Sequence, residues 1–264
     1  MLINFTLVPV QEVAPWGTPG DLSLSWFGLT DGQYWLEAGS SVLFEYSKYA
    51  RSHGSKQYCD YQVVRLYEDL TDMLPSILEP VPTSLVQYIS GETAISWQRT
   101  FEQWREEYGD RTSEDRFWEV VSAATEWQSK RHLDSLYLSP SANIAIWSDV
   151  ESVHLEWDNR EKQIDGQPAW TALKGAYKLP RSDFAREVES FHTRLMDQME
   201  ERVHRVSAGA LSAEIDVDLA ALAREHEQRR QSLRVASDVR PETDWLKVER
   251  TIHEIHSDLR RGQA

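Results

Sequence analysis

Apolar and polar side chains alternate along much of the first 50 residues. The alternating apolar positions are Leu22, Leu24 and Trp26, then Val42, Phe44 and Tyr46, with Tyr34, Trp35 and Leu36 between the two sets. A period of two is typical of a strand with one buried face. Asp31-Gly32 favours a tight turn, because both residues tolerate positive φ angles. Pro9 is expected to end an earlier strand around Phe5. These segments predict a small antiparallel meander.

The period changes to that of a helix from about Tyr61. One apolar stripe contains Val64, Leu66, Tyr67, Leu70 and Leu74, a second contains Trp97, Phe101, Trp104 and Tyr108, and a third contains Phe117, Val120, Val121, Ala124 and Trp127. Steps of three and four residues place each set on one helix face. Pro75 and the Pro80/Pro82 pair are expected to stop the first helix, and Gly109 is expected to end the second. Thr112 or Ser113 can cap the third, and we expect the second and third helices to pack on one face of the sheet.

Strand patterns return between Leu133 and Tyr177, and helical patterns follow towards the C-terminus. Thr243 or Asp244 is expected to cap the last helix. The whole pattern predicts an α+β fold, in which an antiparallel sheet built from N-terminal and central strands is packed by helices. Residues 1–180 are predicted to form this body, and residues 181–264 a C-terminal helical segment that docks on it.

Charge is strongly acidic and unevenly distributed. Residues 1–180 carry 26 acidic and 14 basic side chains, whereas residues 181–264 carry 17 and 14. The formal net charge of −15 argues against a nucleic-acid-binding protein, which needs a basic surface for phosphates. It also argues against docking on an anionic membrane, for which a polybasic segment is expected.

Three features of the sequence predict a cytoplasmic protein. No apolar run approaches the roughly 18 residues of a membrane-spanning helix. The first ten residues lack the basic region of a signal peptide. Cys59 is the only cysteine, which excludes a disulfide within the chain and fits a reducing compartment.

Signatures of common catalytic sites are missing from the sequence. It contains no GxxxxGK phosphate loop, no GxGxxG motif and no GxSxG motif. Asp60 is expected to raise the pKa of the adjacent Cys59 thiol, which disfavours a nucleophilic cysteine. We therefore expect no catalytic residue and no cofactor.

Glu249, His253 and His256 have the spacing of metal ligands on one helix face. A metal site also needs a further well-held ligand and supporting hydrogen bonds, and the sequence identifies neither. A solvated helix face is therefore the favoured interpretation, and no metal site is predicted.

Carboxylates are concentrated between Asp149 and Asp165. The candidate partner-binding residues are Asp149, Glu151, Glu156, Asp158 and Glu161. A magnesium-dependent nuclease would need a lysine two residues after an acid, and none follows Glu156 or Asp158 at that spacing. An anionic face of this kind suits a basic protein partner, because complementary charge speeds association and excludes wrong partners. Solubility alone explains the same carboxylates equally well.

The stretch LSWFGLTDGQYWL, residues 24–36, resembles the N-terminal core of a bacterial family of unknown function. Three later motifs also fit this resemblance: Trp157-Asp158-Asn159, Val217-Asp218-Leu219 and Thr243-Asp244-Trp245. The resemblance implies one integrated unit over most of the chain. It brings no catalytic residues, and members of such families often look like immunity or accessory proteins of bacterial toxin systems.

These observations favour a non-enzymatic binding protein. The leading hypothesis is an immunity protein that binds and blocks a cognate basic toxin domain, with no nucleic-acid or membrane partner. Ten of the eleven tryptophans lie at or before Trp170, and aromatic side chains make rigid interface anchors. Two alternatives remain open: a metal-dependent enzyme with a dispersed carboxylate and histidine site, and a homo-oligomeric structural protein that dimerises through its C-terminal helices.

Overall fold

The computed structural model describes residues 1–109, 113–241 and 243–262. Its strands are β1 (Ile3–Leu7), β2 (Trp16–Thr18), β3 (Asp21–Ser23), β4 (Gly32–Ala38), β5 (Ser41–Leu43), β6 (Cys59–Asp60), β7 (Ile144–Ser148), β8 (Ser152–Asp158), β9 (Gln163–Ile164), β10 (Gln167–Pro168), β11 (Lys174–Pro180) and β12 (Ile215–Asp216). Its helices are α1 (Lys48–Ser52), α2 (Val63–Leu78), α3 (Gly91–Tyr108), α4 (Glu114–Ser129), α5 (Arg181–Ser207), α6 (Leu219–Asp238) and α7 (Trp245–Gly262).

Antiparallel strands form two main sheets. The N-terminal sheet has the order β1–β4–β5, with β6 also paired to β4, and the central sheet has the order β11–β8–β7. A smaller sheet joins β2 and β3 to β12, which pairs with β3 in parallel. The predicted α+β fold, with N-terminal and central strands packed by helices, is confirmed. The N-terminal and central strands lie in separate sheets, and an isolated bridge between Tyr46 and Trp170 joins the segment after β5 to the segment before β11.

Helix α2 packs against both main sheets in the larger core. It contacts β4 of the N-terminal sheet and β7 of the central sheet, and α5 and α6 pack beside it. The helix continues through Pro75 and ends at Leu78, directly ahead of the Pro80/Pro82 pair that was also expected to stop it. Proline removes one backbone donor, and the burial of Leu74 and Ile77 on either side of Pro75 stabilises the helix through that position.

A second core lies between α3, α4 and α7. Its buried side chains include Trp97, Phe101, Trp104, Val120, Ala124, Trp127, Val248, Ile252, Ile255 and Leu259. Helices α3 and α4 therefore pack largely on α7, whereas the sequence predicted packing on the sheet. Asp244 caps α7 as expected, since its Oδ1 accepts the N–H of Lys247 at 2.9 Å. Ser113 precedes α4, and Thr112 lies outside the described residues.

The C-terminal helices divide between the two cores. Helix α5 packs on the N-terminal sheet, with the rings of Phe5 and Phe191 centred 5.5 Å apart, while α7 belongs to the second core. Helices on both sides of residue 180 thus share these cores, and the division into body and appendage stays a prediction. A homodimer through the C-terminal helices also stays a prediction. None of the described helices combines the length and apolar character that crossing a lipid bilayer requires.

A buried ion pair joins the ends of three helices between the two cores. The Arg131 side chain follows α4 and is fully buried, and its guanidinium donates to Glu79 at the end of α2 at 2.9 Å. Glu79 also accepts hydrogen bonds from the backbone N–H of Thr243 at 3.2 Å and from its hydroxyl at 2.6 Å. The guanidinium lies 5.2 Å from the ring centre of Trp245, at the start of α7. This junction sets the position of the second core against the first.

Close packing at Gly175 in the central sheet predicts that one added methyl group at this position lowers the stability of the fold. A Cβ atom at this position would lie 2.5 Å from Cζ2 of Trp157, whose ring is buried. We expect Gly175→Ala to lower the free energy of unfolding by about 1–3 kcal/mol, because a packed ring must move to admit the extra atom. Ala176→Ser, on the solvent side of the same strand, is expected to change it by less than about 0.5 kcal/mol. Urea unfolding of both variants measures the difference, and equal stabilities would contradict the packing described.

Candidate functional site

The acidic residues predicted to bind a partner are held mainly by contacts within the chain. Asp149 lies in the turn between β7 and β8, where its Oδ1 accepts the N–H groups of Glu151 at 2.8 Å and Ser152 at 2.7 Å. Its Oδ2 lies 2.8 Å from Nε2 of His154. Burial raises the pKa of Asp149, but His154 and the two N–H groups outweigh it and lower the pKa to about 2. Asp149 therefore stabilises the turn.

The carboxylates of Glu156 and Asp158 also bind groups within the chain. Glu156 accepts hydrogen bonds from Trp147 Nε1 at 3.0 Å and from the N–H of Gly91 at 3.2 Å. It thus places a carboxylate at the N-terminus of α3, which favours negative charge. Asp158 pairs with Arg160 at 2.5 Å. Glu151 and Glu161 are exposed. The five carboxylates do not converge on one pocket, and their role in partner binding stays a prediction.

Most of the tryptophans belong to the two cores. All eleven lie among the described residues, and seven of them are buried. Trp16 and Trp118 are exposed by 49% and 57%, while Trp35 and Trp245 are half-buried. The aromatic surplus is therefore mainly structural, and four rings remain in reach of solvent.

Trp35 forms the centre of an aromatic surface on the N-terminal sheet. Alternation along β4 turns Tyr34 and Leu36 into the core and Trp35 outwards. The ring of Tyr58, beside β6, stacks on the Trp35 ring with centroids 4.1 Å apart and planes 15° apart. A β-bridge pairs Tyr58 with Glu45, which lies in the segment directly after β5. Strand pairing thus brings together residues from three separate parts of the sequence.

Carboxylates surround this ring pair. Glu37 Oε1 accepts the indole N–H of Trp35 at 3.2 Å, and Glu45 accepts hydrogen bonds from Gln57 and Thr171. Asp60 is exposed and pairs with Gln33 across the sheet. The pKa of Asp60 is nevertheless raised above its usual value. Partial removal of its carboxylate from water is the largest cause, Lys56 acts against it, and Asp31 adds to it.

We call this surface the aromatic face and define it by Trp35, Tyr58, Glu37, Glu45 and Asp60. Two rigid rings supply apolar contact area and π-electron density that attracts cations. Three carboxylates around them supply acceptors for lysine and arginine side chains. The arrangement suits a basic protein surface.

The comparisons with known proteins place the chain in a family. A family model described as "Family of unknown function (DUF5984)" matches residues 2–251. The chain belongs to this family. The sequence resemblance to an uncharacterised family is therefore confirmed, while the link between DUF5984 and toxin immunity stays a prediction. No curated protein and no solved structure matches the chain.

The residues of the candidate metal site lie in different surroundings in this DUF5984 protein. Glu249 accepts a hydrogen bond from Ser84, and His253 is exposed. The His256 ring lies 5.5 Å from the ring of Trp97, and burial lowers its pKa. Within the described ranges, no group of three or more histidine, cysteine, aspartate or glutamate residues could hold a metal ion.

Cys59 is fully buried behind the aromatic face. Burial raises the pKa of its thiol to about 12, although a hydrogen bond with Tyr34 lowers it and Asp60 raises it further. A thiol in this state is a poor nucleophile at neutral pH. The expected effect of Asp60 is present, but burial is the larger cause.

The aromatic face of this protein is not apparent from any continuous stretch of carboxylates, because its residues come from separate parts of the sequence. The alternation Gln33, Trp35, Glu37 was a usable signal, since it opposes the apolar residues Tyr34 and Leu36. The stacking of Tyr58 on Trp35 depends on the pairing of β4 with β6, and no local pattern contains that information.

Proposed function

We propose that this DUF5984 protein is a binding protein that docks on a basic protein partner through the aromatic face. The observation that carries the proposal is the stacked pair of Trp35 and Tyr58, flanked by three carboxylates on the outward side of the N-terminal sheet. Ring pairs of this type in a protein interface act as anchors that are desolvated on binding.

Electrostatics supports the same assignment. The formal net charge of −15 attracts a basic partner at long range and raises its association rate. Glu37, Glu45 and Asp60 then supply short-range ion pairs around the rings. The charges steer the encounter, whereas burial of the rings slows dissociation.

The partner class that we propose is a basic bacterial toxin domain, which the protein would neutralise by covering its active site. Toxin domains that act on nucleic acids carry basic sites for phosphate, and clustered carboxylates can occupy such sites in place of the substrate. The chain needs no catalytic residue for this role, because tight binding alone blocks access of the substrate.

Co-expression in bacteria tests this proposal. The expected partner is the product of the gene next to the one that encodes this protein. This gene product is expected to stop the growth of cells that lack the protein. The wild-type protein is expected to restore growth and to co-purify with the gene product. We expect Trp35→Ala to weaken the complex by about 30-fold, as for an anchor worth about 2 kcal/mol. Growth would then require higher expression of the variant.

Trp118→Ala is the matched control, because Trp118 is an exposed tryptophan on α4 and lies outside the aromatic face. It is expected to protect cells as well as the wild type does. Asp60→Lys, which removes no ring and reverses an exposed charge, is expected to impair protection by repelling the partner. A neighbouring product without toxicity, or full protection by both Trp35→Ala and Asp60→Lys, would contradict the proposal.

A further inference from the structure

A cleft separate from the aromatic face lies between α2 and the segment that links α4 to β7. Its volume is about 430 Å³, within the size range of small-ligand pockets. Three carboxylates line it: Asp69 and Asp72 from α2, and Asp134 from the linking segment. Met73 and Pro75 of α2 form an apolar wall together with Val239 and Pro241 of the connection between α6 and α7.

Asp69 is the unusual member of this set. Its side chain is only 9% exposed, and its Oδ2 has no hydrogen-bond partner in the part of the chain that the structure describes. The other oxygen, Oδ1, lies 3.6 Å from Nε of Arg65. A buried carboxylate oxygen without a partner is costly and requires a physical explanation, and a group bound in the adjoining cleft is one such explanation.

The charges around Asp69 leave the cleft negative. Arg65 also approaches Asp134 at 3.6 Å, so that one cation serves two carboxylates. Lys130 lines the cleft, but its ammonium group pairs with Glu126 at 2.5 Å. His132 uses Nδ1 to contact the carbonyl oxygen of Gln128 at 3.1 Å.

We infer that this cleft binds an organic cation, whose guanidinium or ammonium group pairs with Asp69 while its hydrocarbon part packs on the apolar wall. A planar or tetrahedral cation with several N–H donors can pair with more than one of the carboxylates of Asp69, Asp72 and Asp134 that line the cleft. The apolar wall formed by Met73, Pro75, Val239 and Pro241 suits an aliphatic stem. A metal ion fits less well, since the described residues contain no cluster of three ligands that could hold one.

The test is a titration of isotope-labelled protein with n-butylguanidinium at about pH 8, followed by the amide NMR signals of residues 65–76 and 129–134. We expect saturable shifts in these segments. Asp69→Asn is expected to weaken binding by about tenfold or more, as for the loss of one charge-assisted hydrogen bond. Guanidinium without the butyl chain is expected to bind at least about fivefold more weakly.

Glu102→Gln is the matched control, because it removes an exposed carboxylate from α3 and should leave binding unchanged. A peptide Gly-Arg-Gly with both termini blocked distinguishes the sources of the cation. Binding of the peptide tighter than n-butylguanidinium indicates an arginine side chain of a protein, and the reverse order indicates a free small molecule. Absence of saturable shifts at the cleft, or equal binding by Asp69→Asn, would overturn the inference. Neither result depends on Trp35, so the function proposed for the aromatic face is tested separately.

Discussion

Replacing Arg131 with methionine is expected to lower the free energy of unfolding by about 3–5 kcal/mol. The guanidinium is fully buried, and it donates to Glu79 at 2.9 Å and to the carbonyl oxygen of Trp127 at 2.7 Å. Methionine fills a similar volume but leaves the Glu79 carboxylate, which is only 14% exposed, without its counter-ion. A buried charge that loses its partner is among the most destabilising changes in a folded protein.

The double variant Arg131→Met with Glu79→Gln separates charge from packing. Glutamine can keep a hydrogen bond to Thr243 and carries no charge, so the double variant is expected to be more stable than Arg131→Met alone. Arg116→Met is the control, since Arg116 is 43% exposed and its ion pairs with Glu119 and Glu254 lie on the surface. Its expected cost is below about 1 kcal/mol. Urea unfolding that shows equal costs for Arg131→Met and Arg116→Met would contradict the junction described.

Asp69→Asn is expected to raise the free energy of unfolding by about 2–4 kcal/mol at about pH 8. Burial raises the pKa of Asp69 from 3.8 to about 7, Arg65 lowers it, and Asp134, Glu68 and Asp72 raise it. The folded protein therefore holds a proton that the unfolded chain releases between about pH 4 and pH 7. Stability from this group is present below that window and is lost as pH rises through it.

The pH dependence provides the decisive comparison for Asp69. Wild type and Asp69→Asn are expected to have similar stabilities near pH 4, and the variant is expected to gain steadily up to about pH 8. Asp72→Asn removes a charge from the exposed side of the same helix and is expected to change stability by less than about 0.5 kcal/mol. A difference between wild type and Asp69→Asn that does not change with pH would contradict the burial assigned to this carboxylate. Retention of a carboxylate that lowers stability is typical of binding sites.

Local elements of this fold are predictable from the sequence because they depend on neighbouring residues. The apolar stripes located α3 and α4, and Asp244 capped α7 as expected. Pro75 shows the limit of such rules, since burial on both sides of the proline continued the helix beyond it. The contact of α7 with α3 and α4 involves residues more than 100 positions apart, and amphipathic stripes do not specify which partner they bury against.

The candidate sites were less predictable than the fold for the same reason. Asp69 stands in the helical pattern of α2 like any other polar residue, and the cleft that it lines is formed with distant segments at residues 129–134 and 239–241. Trp35 gains its partner Tyr58 through strand pairing. Charge in the sequence indicated a basic partner, whereas the surface that we assign to this partner became visible only in three dimensions.

Calorimetric titration of the purified basic partner into wild type, Trp35→Ala and Trp118→Ala tests the central claim most directly. The aromatic face predicts a dissociation constant about 30-fold weaker for Trp35→Ala and a value within about twofold of wild type for Trp118→Ala. Dissociation constants for Trp35→Ala and wild type that agree within about twofold would contradict it.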